Sequence, residues 1–276
     1  MKLFNKVIIV GTGLIGGSLA MAMKKYNIAG EIVGMGRHKK NLLLAKNIGA
    51  IDSFSEDLSV VKDADLVVLA TPVHMIMNLG RKVSTRIKKG CIVTDVGSTK
   101  KEIVGLLERI IPDYVGSHPL AGSEKRSIAY AEPGIFKDSL CIITPTKKTS
   151  RQALKKIGKL WKRVGANVVL TQPPLHDKIL AFTSHLPHAL AFALIDSVPQ
   201  DYIKFASGGL KDTTRIAGSD SELWTDIFLS NSQNLTNSLD KFQEKLSALK
   251  LAIGKKDRRR LFSILKKAKG KRDGFK

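Results

Sequence analysis

Short apolar runs that end at glycine or proline alternate, over the first 170 or so residues, with stretches whose apolar positions recur every three or four residues. Val7-Ile8-Ile9-Val10 is the first such run, and its unbroken apolar character suits a parallel strand covered on both faces. Helical spacing follows from Leu14 to Tyr26, a strand from Glu31 to Met35 and a helix from Lys39 to Ile48. The next strand, Asp65 to Ala70, is closed by Thr71-Pro72. A helix from Met75 to Ile87, a strand from Cys91 to Thr94, a helix from Lys100 to Arg109 and a strand from Tyr114 to Ser117 continue the alternation. Leu140 to Thr144, a helix from Arg151 to Val164 and Asn167 to Leu170 extend it. This order predicts an α/β fold with an N-terminal doubly wound, Rossmann-type parallel sheet.

The pattern changes at Thr171-Gln172-Pro173-Pro174, beyond which strand signals vanish and helical spacing runs to the end. Two domains are therefore expected, a sheet domain over 1–171 and an all-helical domain over 172–276. Pro187 should kink or break the run from Leu175 to Ser197, and Pro199, Gly208-Gly209 and Gly218 should mark turns. Leu180, Phe182, Leu190, Phe192, Leu194 and Ile195 point to several faces of one helical run. A helix apolar nearly all round needs packing on all sides, so a homodimer through the helical domain is expected.

Gly11-Thr12-Gly13-Leu14-Ile15-Gly16 fits G-x-G-x-x-G between a strand and a helix. In that context Gly11 permits the tight turn, Gly13 lets backbone approach a pyrophosphate and Gly16 lets helix pack on strand. The amides around Leu14 and Ile15 open the helix and suit an anion. The first domain thus reads as dinucleotide-binding, with Thr71 and Pro72 expected beside the cofactor. An NAD site usually carries Asp or Glu about 20 residues on, to hold the ribose diol. Gly34-Met35-Gly36-Arg37-His38-Lys39-Lys40 has no acid there. Arg37 and its neighbours favour a 2′-phosphate, so NADP is expected, with NAD as the alternative; the plainer reading of these residues is a basic helix start.

Net charge is +22, with 43% hydrophobic and 6% aromatic residues. Eleven of the Lys and Arg residues, against two Asp, fall in 255–276, without a nucleic-acid motif. A solvated basic surface that attracts anionic substrates is expected, rather than a nucleic-acid partner. No apolar run near 18 residues stands out, and the first residues do not resemble a signal peptide, so a cytoplasmic protein without a membrane span is expected. Cys91 and Cys141 fall inside expected strands and read as reduced core thiols.

Four segments carry candidate chemistry. His118-Pro119-Leu120-Ala121-Gly122-Ser123-Glu124 starts just past an expected strand, at the sheet edge where such folds bind ligands. Histidine is the side chain best suited to take a proton near neutrality, although a lone one more often serves a loop. Asp95-Val96-Gly97-Ser98-Thr99-Lys100 places Ser98 at the same edge, where it could also cap the next helix. Ser184-His185-Leu186-Pro187-His188 sets two histidines on one helical face without carboxylate or cysteine at metal-ligand spacing, and no metal is expected. Arg215 is a natural bidentate clamp for a carboxylate, with Asp212 three residues earlier to hold it; a surface ion pair is the plainer alternative.

Together these segments resemble the prephenate/arogenate dehydrogenase family of tyrosine biosynthesis, over nearly the whole chain. The likeness rests on the glycine fingerprint at 11–16, the segments at 95–100, 118–124 and 184–188, and Lys211-Asp212-Thr213-Thr214-Arg215-Ile216-Ala217 with Trp224 after it. It implies that His118 is the catalytic histidine, Ser98 the active-site serine, Arg215 the substrate-clamping arginine and His188 the histidine of the helical domain. Ser123, Glu124 and Asp212 join the expected substrate site, with Glu124 the candidate for telling prephenate from arogenate. The implied reaction is oxidative decarboxylation of prephenate, or of arogenate to give tyrosine directly, with hydride passing to NAD(P). Gly36 departs from the acid of many NAD-using members. The regulatory domain and fused chorismate mutase of some relatives are expected to be missing. Another dehydrogenase with a helical second domain, or a dinucleotide sensor without catalysis, are the competing readings. The first often uses a lysine in the helical domain, where no convincing lysine motif stands, and the second has no reason to keep His118, Ser98 and Arg215 together.

Overall fold

A computed structural model describes residues 1–122 and 127–275. Ser123 and Glu124 lie outside the described residues. The chain divides into two compact units, 1–231 and 232–276.

The first unit is built on eight strands, β1 (Phe4–Val10), β2 (Ala29–Met35), β3 (Ser53–Ser55), β4 (Leu66–Leu69), β5 (Ile92–Asp95), β6 (Tyr114–Pro119), β7 (Leu140–Thr144) and β8 (Asn167–Leu170). They lie in the order β3-β2-β1-β4-β5-β6-β7-β8. Chain direction through the sheet therefore reverses between β1 and β4, the switch point where doubly wound sheets open a crevice at their carboxyl ends. Helices α1 (Leu14–Lys25), α2 (Lys39–Asn47), α3 (Val73–Ser84), α4 (Lys101–Ile110) and α5 (Arg151–Arg163) follow the strands. Both faces of β1 are covered. Val7 and Ile9 join one core with Leu19, Met23 and Trp161, while Ile8 and Val10 join the other with Val67, Leu69 and Leu107.

The expectation of a wholly parallel sheet is corrected at one edge. β6 and β7 pair antiparallel, with His118 opposite Ile142, and β8 then runs parallel to β7. Among the described residues no crossover helix links β6 to β7; they hold one 3₁₀ turn, Ile128–Tyr130. A parallel return needs a crossover, whereas an antiparallel one does not. β6 also runs two residues further than expected, so His118 sits within the strand rather than after it. β3 had no sequence signal, being three residues with one apolar side chain, and is held by its pairing to β2.

Beyond the sheet come α6 (Pro173–Leu180), a π-helical turn (Ala181–His185) and α7 (Leu186–Asp196), which together form one continuous helical run. Pro187 neither breaks nor ends it. Proline cannot donate to the carbonyl four residues back, and the wider π turn just before it absorbs that defect. The run is long and apolar enough to cross a membrane by length and composition, which the expectation of no such stretch did not foresee. Its first helix is tied instead to the sheet layer, through Asp177 at the start of α4. Short α8 (Gly208–Thr214) begins at Gly208-Gly209, where a turn was expected, and α9 (Ser221–Ser230) closes the unit. The second unit is a pair of helices, α10 (Ser232–Gly254) and α11 (Arg258–Asp273).

α3 and α4 approach closely because Gly80 has no side chain; a Cβ there would stand 2.3 Å from Leu107 Cδ2. Leu107 is fully buried in that contact. Leu107→Ala should lower unfolding free energy by about 2–5 kcal/mol in urea titrations; a loss below about 1 kcal/mol would show that the two helices collapse onto the gap.

Candidate active site

The switch point is framed by the ends of β1 and β4. Gly11 has φ of 99°, a left-handed conformation that a side chain would strain, and a Cβ there would stand 2.6 Å from the Ala70 carbonyl oxygen. A Cβ on Gly16 would stand 2.0 Å from the Gly11 carbonyl oxygen. Gly13, by contrast, faces open space and begins α1 without a side-chain cap. The first amides of α1, around Leu14 and Ile15, thus open toward space at the positive end of a helix dipole, which fits a pyrophosphate. Beside this turn, the buried Thr71 hydroxyl has no hydrogen-bond partner, while Pro72 starts α3. An orphaned hydroxyl at a switch point fits a ligand that supplies the missing partner. Arg37, His38, Lys39 and Lys40 are exposed at the end of β2, and the Arg37 guanidinium lies 3.7 Å from Met75 Sδ.

At the end of β6 a cavity of about 700 Å³ opens, lined among others by Ser98, His118, His185, His188, Arg215 and Trp224. His118 is nearly buried, and its Nδ1 lies 2.9 Å from Nε2 of His176. Burial, and then the neighbouring His176 and Lys100, hold the His118 imidazole well below the usual histidine range. It is therefore neutral at physiological pH and able to accept a proton.

Under His118 lies a buried polar network. Lys100 is fully buried and binds the Asp95 carboxylate, and its Nζ also donates to the Ser117 carbonyl at 2.9 Å. Tyr114 Oη donates to Asp95 at 2.6 Å, and the Gly97 amide donates to the same carboxylate at 2.8 Å. On the helical side, Asp177 accepts the Lys100 and Lys101 amides at 2.8 and 2.9 Å, and His176 Nδ1 lies 2.8 Å from it. Asn231 donates to the Asp177 carbonyl at 2.8 Å and sits 3.1 Å from His185 Nδ1. Each of these groups has a partner, as buried polar groups require, and most of the partners come from another element.

The helical wall presents two histidines on either side of Pro187. His188 donates Nδ1–H to the Ser184 carbonyl at 2.9 Å and stacks on Trp224, ring centroids 3.5 Å apart. His185 packs on the same indole edge to face. Burial lowers the pKa of both and takes His185 down to about 4, against the opposing pull of Asp177.

Most of the residues singled out from sequence thus meet at one sheet edge. His118, Ser98, His188 and Arg215 line the cavity, and the glycine turn, Thr71 and Pro72 frame the switch point. Two expectations change. Ser98 does not cap α4, whose first amides are taken by Asp177 from another element. Asp212 is exposed, forms no ion pair with Arg215 among the described residues and is not in the cavity wall; Asp220, which caps α9, lines the cavity with Arg215 instead. His176 and Asp177 were missed. Their signal was a group of three adjacent polar residues, His176-Asp177-Lys178, at the start of an otherwise apolar run.

The chain is similar to known proteins along its full length. A family model described as prephenate dehydrogenase, nucleotide-binding domain, matches residues 19–170. A second, prephenate dehydrogenase, dimerization domain, matches 172–267. The cyclohexadienyl dehydrogenase of Zymomonas mobilis is 34% identical, over 93% of this chain and 91% of that protein. The prephenate dehydrogenase of Bacillus subtilis is 33% identical, over 98% of this chain and 76% of its own length. Among solved structures, the prephenate dehydrogenase of Aquifex aeolicus in complex with hydroxyphenyl propionate and NAD+ superposes with a TM-score of 0.94. It is 37% identical, with 99% of this chain and 98% of that one covered. The Synechocystis arogenate dehydrogenase superposes at 0.85, 29% identical over 98% of this chain and all of that one.

Burial of neutral His185 ties stability to pH. Its folded value of about 4 lies below the ordinary 6.5, so the unfolded chain binds the extra proton. The stability it supports is complete above pH 6.5 and is lost as pH falls toward 4, on the order of 3 kcal/mol. His185→Gln should therefore flatten the fall of unfolding free energy between pH 6.5 and 4 in urea titrations. A variant slope equal to the wild-type slope would contradict a buried neutral His185.

Proposed function

The chain belongs to the prephenate dehydrogenase family, and from its site we propose that it oxidatively decarboxylates prephenate to 4-hydroxyphenylpyruvate. The observation that carries this reading is His118, neutral and nearly buried at the sheet edge, with Nδ1 engaged by His176 and the ring in the cavity wall. The glycine turn and the orphaned Thr71 hydroxyl suit a nicotinamide dinucleotide, which when bound supplies the hydride acceptor. Ser98 lies in the same wall, placed to hold the ring hydroxyl of the substrate against His118. Arg215, across the cavity, anchors a substrate carboxylate through a charged, bidentate pair. Held at both ends, the substrate keeps its reacting carbon in place before hydride leaves.

His118 Nε2 accepts the proton of the ring 4-hydroxyl as hydride departs from C4, and the C–O bond becomes a carbonyl. The ring carboxylate then leaves as CO2, its bonding pair flows through the ring to that oxygen, and His118 returns the proton to make the phenol. Aromatisation makes the sequence effectively irreversible. The apolar part of the cavity, Ile142, Ile179, Leu180 and Leu223, gives the carboxylate that departs a poorly solvated place, which favours neutral CO2 over the anion.

The finer choice of cofactor is NADP over NAD. Gly36 offers no carboxylate to a ribose diol, and the exposed cluster from Arg37 to Lys40 offers positive charge to a 2′-phosphate. The chain acts as a homodimer. The match to a dimerization domain supports this, as do Leu175, Phe182 and Leu194, which the helical run leaves exposed. The reaction it carries out needs only small soluble substrates, in keeping with a cytoplasmic enzyme.

Purified protein given prephenate and NADP should raise absorbance at 340 nm; growth with arogenate but not prephenate would transfer the assignment to the amino substrate. His118→Asn should keep the fold and cofactor binding while turnover falls about 10²–10⁴-fold; near wild-type kcat in that variant would remove His118 from the chemistry.

kcat/KM should be higher with NADP than with NAD. Gly36→Asp has room, because an added Cβ meets only Leu42, at 3.5 Å. The aspartate should move preference toward NAD by accepting from the ribose diol and repelling the phosphate. Wild-type preference for NAD by about tenfold, some 1.4 kcal/mol, would make the basic cluster a surface feature only.

A further inference from the structure

We propose that His176, backed by Asp177, is a positioning residue that locks His118 in the Nδ1–H tautomer and so keeps Nε2 as the proton-accepting atom. This rests on the reading of His118 as the base. Three contacts in series carry it. Both Asp177 oxygens accept backbone amides, from Lys100 and Lys101, so the carboxylate is an acceptor toward His176 Nδ1, 2.8 Å away. His176 therefore carries its proton on Nδ1. Burial lowers its pKa despite Asp177, so the ring is neutral and its Nε2 has a lone pair. That lone pair faces His118 Nδ1 at 2.9 Å, and only a proton on His118 Nδ1 completes the contact. His118 Nε2 is then left unprotonated, and no hydrogen bond from the described residues occupies it.

Capping alone does not explain this arrangement. The amides of α4 need Asp177 and have no use for His176, which is fully buried and held neutral because burial disfavours its charged form. An apolar side chain would fill that space without a desolvation penalty. The histidine is explained by what it accepts. An imidazole left alone in water favours the other tautomer, with the proton on Nε2, which would point a donor at the substrate hydroxyl. The acceptor on the Nδ1 side reverses this preference, and its effect grows during the reaction. When Nε2 takes the substrate proton, the Nδ1–H···Nε2 bond becomes charge-assisted and strengthens. The gain falls on the step that moves the proton and not on substrate binding.

The six histidines of the chain make nitrogen spectroscopy practical. Long-range ¹H–¹⁵N spectra of histidine-labelled protein, assigned with the His118→Asn variant, should show His118 protonated on Nδ1 in the wild type near neutral pH. His176→Phe, which fills the space without an acceptor, should turn His118 to the Nε2–H form. Its kcat should fall about 10–100-fold while KM for prephenate and for cofactor changes less than about threefold. His176→Gln offers a carbonyl at the same place, and should keep the Nδ1–H form and recover kcat to within about fivefold of wild type. A wild-type His118 in the Nε2–H form overturns the proposal, as does a phenylalanine variant with unchanged tautomer and kcat. If the phenylalanine variant does not fold, the wild-type spectrum and the glutamine variant decide: loss of the Nδ1–H form in the glutamine variant overturns it. Should His118→Asn remain active, the base assignment fails while the tautomer result stands, so the two failures are read apart.

Discussion

Two amides at the start of α4 have no acceptor within their own segment, and an aspartate from another part of the chain supplies it. That contact, beside the one from His118 to His176, joins the layer built by the sheet to the helical run that follows it. The first turn of a helix carries unsatisfied N–H groups and a partial positive charge, so a carboxylate there is held both by hydrogen bonds and by the dipole. Once Asp177 is in place, His176 is aimed at His118 and the rest of α6 lies along the cavity. The π turn and α7 then carry His185 and His188 to the opposite wall. The cavity therefore depends on a contact that a description of its lining residues alone would omit.

Charge is distributed unevenly around this cavity, despite a surface rich in lysine and arginine. Lys100 and Asp95 neutralise each other below the sheet edge, where both are shut off from water. The histidines above them are held neutral by burial. Arg215 is the cation among the wall residues named here. On the proposed reading, an anionic substrate would pair with this guanidinium rather than with the uncharged imidazoles, beside the Asp220 carboxylate in the same wall. Long-range attraction by the basic surface can bring the substrate near without deciding its orientation.

The alternation of apolar runs and helical spacing made seven of the eight strands and all five sheet helices legible, because buried parallel strands are chemically uniform and glycine or proline punctuates them. β3 was not legible, since Ser53-Phe54-Ser55 carries no pattern and owes its form to a neighbour. The reversal of β7 was not legible either; strand direction is set by what connects two strands, and an irregular link has no periodicity to read. In the site, short motifs exposed His118, Ser98, His188 and Arg215, whose residue types announce their chemistry. His176 and Asp177 did not announce theirs. In a helix, polar residues that face a buried partner and polar residues that face water have the same sequence appearance, and only tertiary packing separates them. Asp212 failed for the opposite reason: sequence proximity to Arg215 suggested a pairing that the short helix turns outward.

The π turn at Ala181–His185 has a consequence for what this chain can tolerate in length. Hydrogen bonds there span five residues instead of four, so the run contains one residue more than an unbroken α-helix of the same height would hold. Each residue of an α-helix advances the phase by about 100°. Removing one residue within the turn would restore regular winding at the same height and leave α7 at its present bearing, with His188 on the Trp224 ring. A deletion further along, with no extra residue to give up, would rotate all that follows by that angle and carry the exposed apolar stripe with it. The cavity wall and the outer apolar face are thus set by one phase, and neither can be re-aimed without the other.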